Sequence, residues 1–539
     1  MTEGEILLQS QLEKSNKQLQ ESRLENKLLR EKVDALVRMI YGPKSEKLGA
    51  NDPNQLTLLD QEQMEAEAEA KKPIAPDADP SAGADDRSTK KRKKPAGPRL
   101  PENLPVEETI VDPLEVQAEP EAWRLMGQEV SEQLDYRPGR FVKLRLVRNK
   151  YVRRDHPFAA PVIAPLPPSL QERCLAAPGL IAHIIASKYI DHLPLYRQEQ
   201  IYRQRHKIEL PRQSLCRWVA LAAEWLEPVY NEMRRQQMTS DYVQIDETPI
   251  RYLDPGRGKC ATGYFWVSNV PGGDVIYHWH PGRGADCLEH IVPTGYEGTL
   301  QCDGYSAYPS FQKHRKARHE AEHKDDPKPE PLKLELAACW AHARRKFFQA
   351  KGRDPTVADW ILRQIGQLYL IEKRLRETGA GPALRQAVRA SESAIIIARL
   401  KAALLLVTPR YLPKSGMGKA IAYARGQWAG LERYVSSGAL EIDQNLVENA
   451  IRPSALGKKN WMFIGSEASG KTSAILYTIV ESAKRHGLEP KGYLHHLLET
   501  LPKSTNKQVP ALTPAAVAKT QARRQRQLKA EPHLKDQAA

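Results

Sequence analysis

Tyr242-Val-Gln-Ile-Asp-Glu-Thr-Pro-Ile250 and Leu300-Gln-Cys-Asp303 are two apolar runs, each carrying a carboxylate, at Asp246 and Asp303. A carboxylate in such surroundings is costly unless a cation pairs with it, so both acids are candidate site residues. Outward from them the pattern stays strand-like. Residues 264–270 and 275–280 read as further strands between Pro/Gly turns, a short helix is expected around Leu288, and the second acid closes a strand over 299–303. Three strands, a helix and another strand predict an α/β core. From 354 to 440 the period changes, with Ile361, Ile365, Leu368 and Leu375 at helical spacing. The core is therefore expected to be interrupted by an all-helical insertion.

Beyond that insertion, Ile442-Asp-Gln-Asn-Leu-Val-Glu-Asn-Ala-Ile-Arg-Pro453 reads as a helix with Asn445, Glu448 or Asn449, and Arg452 along one side. Arg452 is then placed to reach phosphate. Three carboxylates from separate elements, Asp246, Asp303 and Glu448, can hold two divalent ions, one activating an attacking oxygen and one stabilising a leaving oxygen. Hard oxygen ligands suit Mg²⁺ or Mn²⁺. The neighbouring Asp241, Glu247, Glu441 and Asp443 are read as supporting or structural acids. His342, Arg344, Arg345 and Lys346 follow an apolar strand and suit contact with a phosphate backbone.

Towards the N-terminus, Leu12, Leu19, Asn26, Val33 and Ile40 recur every seven residues beside a second register of Leu8, Ser15, Ser22, Leu29 and Leu36. That is a coiled-coil seam, with Asn26 as the buried amide that favours a two-stranded pairing, so residues 1–48 are expected to form a homodimer. Residues 49–100 are rich in Ala, Pro, Asp and Glu and then basic from Lys90 to Lys94, a flexible linker. Residues 101–160 are expected to be a small β module whose strand over 141–147 shows Lys143 and Arg145 on a basic face. Residues 161–238 read as helical. Within them 195–226 splits at Leu210 and Pro211 into a helix-turn-helix-like pair, the second helix carrying Arg212, Arg217 and Trp218 for a DNA groove. The core then occupies 239–353 and 441–500 around the insertion, and 501–539 is expected to be a basic, disordered tail.

Composition agrees with a nucleic-acid partner. The 539 residues include 81 Lys and Arg against 66 Asp and Glu, a net charge of +15 that favours a polyanion. With 41% hydrophobic and 27% charged residues the chain as a whole is neither disordered nor membrane-embedded. Its longest apolar run, near Ile395 to Val407, is broken by Arg399 and Lys401. Six scattered cysteines and no signal segment point to a reducing, cytoplasmic setting. A rival signal is Gly465-Ser-Glu-Ala-Ser-Gly-Lys-Thr472, which fits the phosphate-cradling pattern of a P-loop ATPase. The stretch that follows is mostly helical and lacks the later strand with a metal-binding Asp that such a domain needs, so we read Gly465 and Gly470 as a turn between two helices. A non-catalytic DNA-binding regulator is the other alternative, and it leaves the three acids unexplained.

The ordered motifs narrow the class further. Tyr41-Gly-Pro-Lys-Ser-Glu-Lys-Leu48, Glu129-Val-Ser-Glu-Gln-Leu-Asp135, Gln244-Ile-Asp-Glu-Thr248, Cys302-Asp-Gly-Tyr-Ser-Ala-Tyr308, Cys339-Trp-Ala-His-Ala-Arg-Arg-Lys-Phe347, and Glu448-Asn-Ala-Ile-Arg-Pro453 with Lys459-Asn-Trp461 together resemble the large transposase of the insertion sequence 66 family. The resemblance covers most of residues 1–500. It implies a multidomain α/β protein with added all-α parts and a ribonuclease-H-like catalytic core. It also implies a DDE transposase, nucleoid-associated in a bacterium, acting on terminal inverted repeats and target DNA, with accessory proteins of the same element. Asp246, Asp303 and Glu448 would be its metal-binding triad, spaced 57 and 145 residues apart. The sequence departs from the family in one place. Relatives commonly carry a zinc module with cysteine pairs ahead of the helical DNA-binding region, whereas no cysteine here precedes Cys174, and His156 alone cannot complete a four-coordinate site. Zinc is not expected in that module.

Overall fold

The computed structural model describes residues 167–535 apart from 173, 255–258, 325–329 and 353, and ahead of them only residues 139, 141, 144, 150, 151, 162 and 163. The coiled coil expected over 1–48, the linker over 49–100, and Lys143 and Arg145 lie outside the described residues. The chain divides into two units, residues 73–164 and the remainder. In the first, β1 (Lys150–Tyr151) pairs antiparallel with β2 (Val162–Ile163). Of the strand expected over 141–147 only Phe141 and Leu144 are described, and neither is in a ladder.

The first described elements of the second unit are three helices, α1 (Pro178–Tyr189), α2 (Leu195–His206) and α3 (Arg212–Gln237). Lys207, in the left-handed region at φ 57°, ends α2, and Pro211 precedes α3, so the chain breaks near the expected position. Leu215, Trp218, Val219, Ala222, Leu226, Val229 and Met233 bury one side of α3 at helical spacing.

A five-stranded sheet follows, built from β3 (Tyr242–Leu253), β4 (Cys260–Asn269), β5 (Val275–His280), β6 (Gly298–Cys302) and β7 (Leu334–Ala338), in the spatial order β5-β4-β3-β6-β7. β3, β4 and β5 are an antiparallel meander, whereas β6 and β7 run parallel to β3. Helix α4 (Ala285–Ile291) leads into β6, and α5 (Ala307–Glu322) leads from β6 towards β7. Val243 and Ile245 of β3 pack with Leu288, Ile291, Leu300, Tyr308 and Phe311 on the face that these two helices cover. β3 outruns its predicted end because pairing with β4 continues to Leu253 opposite Cys260. Its Pro249 is tolerated because β6 pairs only with residues 242–244, leaving that edge without a ladder there.

After β7, α6 (Trp340–Ala350) opens the helical stretch α7 (Pro355–Glu377), α8 (Pro382–Val388), α9 (Ala394–Val407), α10 (Gly416–Gly426) and α11 (Trp428–Ser436). Ile361, Ile365, Leu368 and Leu375 are all buried in the resulting core, as their spacing predicts. The chain returns to the sheet through α12 (Asn445–Trp461) and α13 (Glu467–Arg485), followed by α14 (Pro490–Thr500). The expected disordered tail is a correction. Two 3₁₀ turns bury Leu501, Val509 and Leu512, Thr505 and Gln508 form a capping box, and α15 (Pro514–Lys535) starts on a proline in an alanine-rich run. A few apolar anchors in a polar, Ala/Pro-rich stretch are enough to order it. Among the described residues no helix is long and apolar enough to cross a membrane.

Candidate active site

Alternation along β3 decides which acid faces what. Gln244 and Asp246 share one face of the sheet, while Glu247 is turned to the other. There Tyr308 Oη donates to Glu247 Oε2 at 2.7 Å, and Arg283 donates to Oε1 through Nε at 2.8 Å and Nη2 at 2.6 Å. The Arg283 guanidinium also stacks on Tyr305, 3.8 Å from the ring centre, and Tyr305 Oη donates to the Arg283 carbonyl at 3.0 Å. Glu247 is thus buried and clamped. Arg283 was not singled out by the sequence reading, because a lone Arg in a Pro/Gly loop carries no periodic signal.

The parallel ladder aligns Gln244 with Gln301, which brings Asp246 abreast of Asp303 two residues further along. Asp303 sits just past β6, its Oδ1 accepting the Tyr305 backbone N–H at 2.8 Å. Asp246 Oδ1 accepts the Glu247 N–H at 2.9 Å. One layer behind the acids, the two glutamines form a buried polar network. Gln244 Nε2 donates to Gln301 Oε1 and to the Asp443 carbonyl, both at 2.9 Å, and Gln301 Nε2 donates to the Glu441 carbonyl at 2.9 Å. Asn269 Nδ2 completes it with a 2.9 Å bond to Gln244 Oε1. A network with so many satisfied partners fixes geometry, and here it fastens residues 441–443 across β3 and β6. Asp443 then accepts from the Asn445 N–H at 3.1 Å and from its side-chain Nδ2 at 3.0 Å, just ahead of α12.

Glu448 stands in the first turn of α12, where the helix N-terminus favours an anion, and is only 4% exposed. Burial, and then the negative charges of Glu247, Glu448 and Asp303, push the Asp246 carboxyl well above the usual carboxylate range. Three predicted acids from three distant segments therefore feel one another's charge. A surplus of negative charge felt among hard carboxylate ligands fits a divalent cation, which would relieve that repulsion.

The predicted cations are placed unevenly. His342 Nε2 lies 3.8 Å and Arg345 Nη2 4.0 Å from the Glu448 carboxylate, and burial lowers the Arg345 guanidinium while Glu448 raises it. Arg452 is one turn beyond Glu448 on α12 and half-buried. Arg344 is buried, with its guanidinium over Phe348. Arg212 and Arg217 stand exposed on the first turns of α3.

The P-loop-like run is not a cradle. Glu467 to Thr472 already lie within α13, where Ser466 caps the helix by accepting the Ser469 N–H at 3.2 Å. Gly470 is inside that helix, not in a turn, because a Cβ there would collide with the Trp279 indole. Lys471 pairs with Glu227 at 2.6 Å on the surface. Lys471→Ala, which removes an exposed pair worth less than about 1 kcal/mol, is accordingly expected to leave the melting temperature nearly unchanged, and ATP should shift the melting of neither protein. An ATP-dependent shift lost in the variant would reinstate the nucleotide reading.

Comparison with known sequences agrees along the chain. The family profile described as Transposase IS66 family matches residues 173–472, a span that contains Asp246, Asp303 and Glu448. Profiles described as Transposase C of IS166 homeodomain and IS66 C-terminal element match residues 28–109 and 478–515. Relatives in Sinorhizobium fredii are the uncharacterized protein y4jD, 33% identical over 88% of this chain and 91% of its own length, and y4qI, 34% identical over 69% and 68%. A third, y4hP, is 26% identical over 87% of this chain and 84% of its own.

Proposed function

The chain belongs to the IS66 family of transposases, and from that premise we propose that it is the DDE-type subunit that binds the ends of an insertion sequence and carries out metal-dependent strand cleavage and strand transfer. The observation that carries this reading is the electrostatic convergence of Asp246, Asp303 and Glu448. The sheet order β5-β4-β3-β6-β7, an antiparallel meander continued by two parallel strands, supports a ribonuclease-H-like core in two parts around a helical insertion.

When bound, Mg²⁺ or Mn²⁺ would supply Lewis acidity and charge neutralisation at the phosphodiester. The chain's own residues hold and orient. Asp246, Asp303 and Glu448 offer the ligand oxygens, and the Arg283 and Tyr308 clamp keeps Glu247 turned away from them. His342, Arg345 and Arg452 stand beside Glu448, where a phosphate backbone would be drawn in. Water and then a DNA 3′-hydroxyl would be the nucleophiles. Arg212 and Arg217 on α3, with Lys143 and Arg145, would grip the terminal repeats. Residues 1–48 would pair two copies through a coiled coil, and small proteins of the same element would be companions. In the test, purified chain is incubated with labelled element-end DNA and Mg²⁺. Nicked or joined strands are expected, whereas a mobility shift alone would favour a regulator.

The raised carboxyl of Asp246 has a second consequence. An acid whose pKa is higher folded than unfolded contributes stability below its unfolded value and loses it as pH rises through the folded one. The metal-free chain should therefore be penalised increasingly as Asp246 ionises, and a divalent ion should relieve the penalty. The stabilisation given by Mn²⁺, read as a rise in melting temperature, is expected to be small in acid and to grow with pH, its free energy reaching about 2.7 kcal/mol at a hundred-fold excess over Kd. Asp246→Asn should raise the melting temperature of the metal-free chain and remove the Mn²⁺ effect. A Mn²⁺ shift independent of both pH and Asp246 would sink the metal assignment.

A further inference from the structure

We propose that His280, Asp286 and Cys287 form a zinc site that ties the end of β5 to the start of α4. Among the described residues theirs is the one group of histidine, cysteine and acidic side chains whose ligand atoms all lie within 4.8 Å of one another. Cys287 Sγ is 3.0 Å from His280 Nδ1 and 3.9 Å from Asp286 Oδ1. Two ligands of a tetrahedral zinc, at about 2.3 Å for sulfur and about 2.0 Å for nitrogen, stand roughly 3.5 Å apart, so these separations bracket the requirement. The donor set is one nitrogen, one sulfur and one oxygen, which selects zinc over the hard ions suited to the acid cluster.

Gly282 N–H donates to His280 Nδ1 at 2.9 Å, so that nitrogen is the unprotonated one, and zinc would replace this backbone donor at its single lone pair. A Cβ at Gly284 would collide with Asp286 Oδ1, so glycine there leaves that carboxylate its place. The His290 ring lies against His280 with centroids 5.7 Å apart, covering the site from one side. On binding, the ion would take the place of the Cys287 thiol proton, which leaves to solvent.

Its role follows from what the closed loop carries. Residues 281–284 lie between the ligands and present Arg283 to Glu247 and Tyr305. Zinc would hold that loop at both ends, making Arg283 a positioned residue rather than a mobile one. The site is separate from the module before Cys174 where zinc is not expected, and it does not depend on the transposase reading.

Zinc content of the purified full chain, free of DNA, tests it directly. One zinc per chain is expected after dialysis, retained in Cys260→Ser and lost in Cys287→Ser and in His280→Gln. Cobalt replacement keeps the test decisive if Cys287→Ser misfolds. The unaltered chain loaded with Co²⁺ should show a thiolate-to-cobalt charge-transfer band that is absent from His280→Gln. Zinc absent from the wild-type chain, zinc unchanged in both ligand variants, or cobalt bound without that band would each overturn the proposal. Strand cleavage plays no part in these readouts, so failure here and failure of the transposase reading are told apart.

Discussion

Asp303→Asn is expected to lower Mg²⁺-dependent nicking of an element end by about 10³-fold or more, with the mobility shift of the same DNA unchanged. The substitution is nearly isosteric, and Asn Oδ1 can still accept the Tyr305 N–H that Asp303 accepts at 2.8 Å, so the turn after β6 keeps its geometry. What disappears is one negative charge at a site already shared with Asp246 and Glu448. A metal ion contributes several kcal/mol to the stabilisation of a phosphoryl transition state, and about 4 kcal/mol lost is a thousand-fold in rate. End binding is proposed to rest on cations elsewhere, on α3 and beside Glu448, which the change does not touch. Cleavage near the wild-type rate would remove Asp303 from the proposed triad. Loss of binding together with cleavage would mean that the variant had damaged the fold and that its rate says nothing of chemistry.

The largest stability effect is expected from Arg389→Ala, about 3–5 kcal/mol in the helical insertion. Arg389 and Glu372 are both fully buried, joined by Nε and Nη2 to the two carboxylate oxygens at 2.7 Å. The remaining guanidinium nitrogen donates to the carbonyls of Ser437 at 2.6 Å and Leu440 at 2.8 Å, just before the chain re-enters the sheet. Truncating Arg389 leaves Glu372 buried beside Arg385 alone, at 3.3 Å. Burial by itself would raise the Glu372 carboxyl, but the two guanidiniums hold it below its ordinary value. That sign means the pair stabilises above the usual carboxylate range and loses its contribution as pH falls through the depressed value, so the gap between wild type and variant should narrow in acid. Hydrogen exchange of α7 and α11 reads the effect locally, where a whole-chain melt of a multidomain protein would not be two-state. Protection unchanged at neutral pH would refute it. Removing both partners, as in Arg389→Met with Glu372→Leu, should recover most of the loss, since an apolar pair of similar volume leaves no unpaired charge.

Neither Arg389 nor Arg283 was legible beforehand. An arginine reads as a surface residue until a partner far along the chain is known to meet it, and Glu372 meets Arg389 only because a π-helical segment over Arg389–Ser393 turns it inward between α8 and α9. Gly470 was misread for a similar reason. A glycine between apolar helices resembles a turn, whereas its actual cause is the approach of Trp279 from β5. The tail after Leu501 was assigned to disorder from its composition, yet Val509 and Leu512 suffice to dock it.

By itself the sequence determined whatever repeats over a few residues. Helical spacing marked the buried side of α7, and the two carboxylates in apolar strands stood out by their cost. These are local consequences of backbone geometry, in which each residue's direction follows from its neighbours. Tertiary structure alone decided that Glu448, 145 residues beyond Asp303, comes back to the same face, because Gln244 and Gln301 bind the carbonyls of Asp443 and Glu441 across the sheet. No periodicity encodes that return. It depends on buried hydrogen bonds between segments that meet only when the insertion has folded between them.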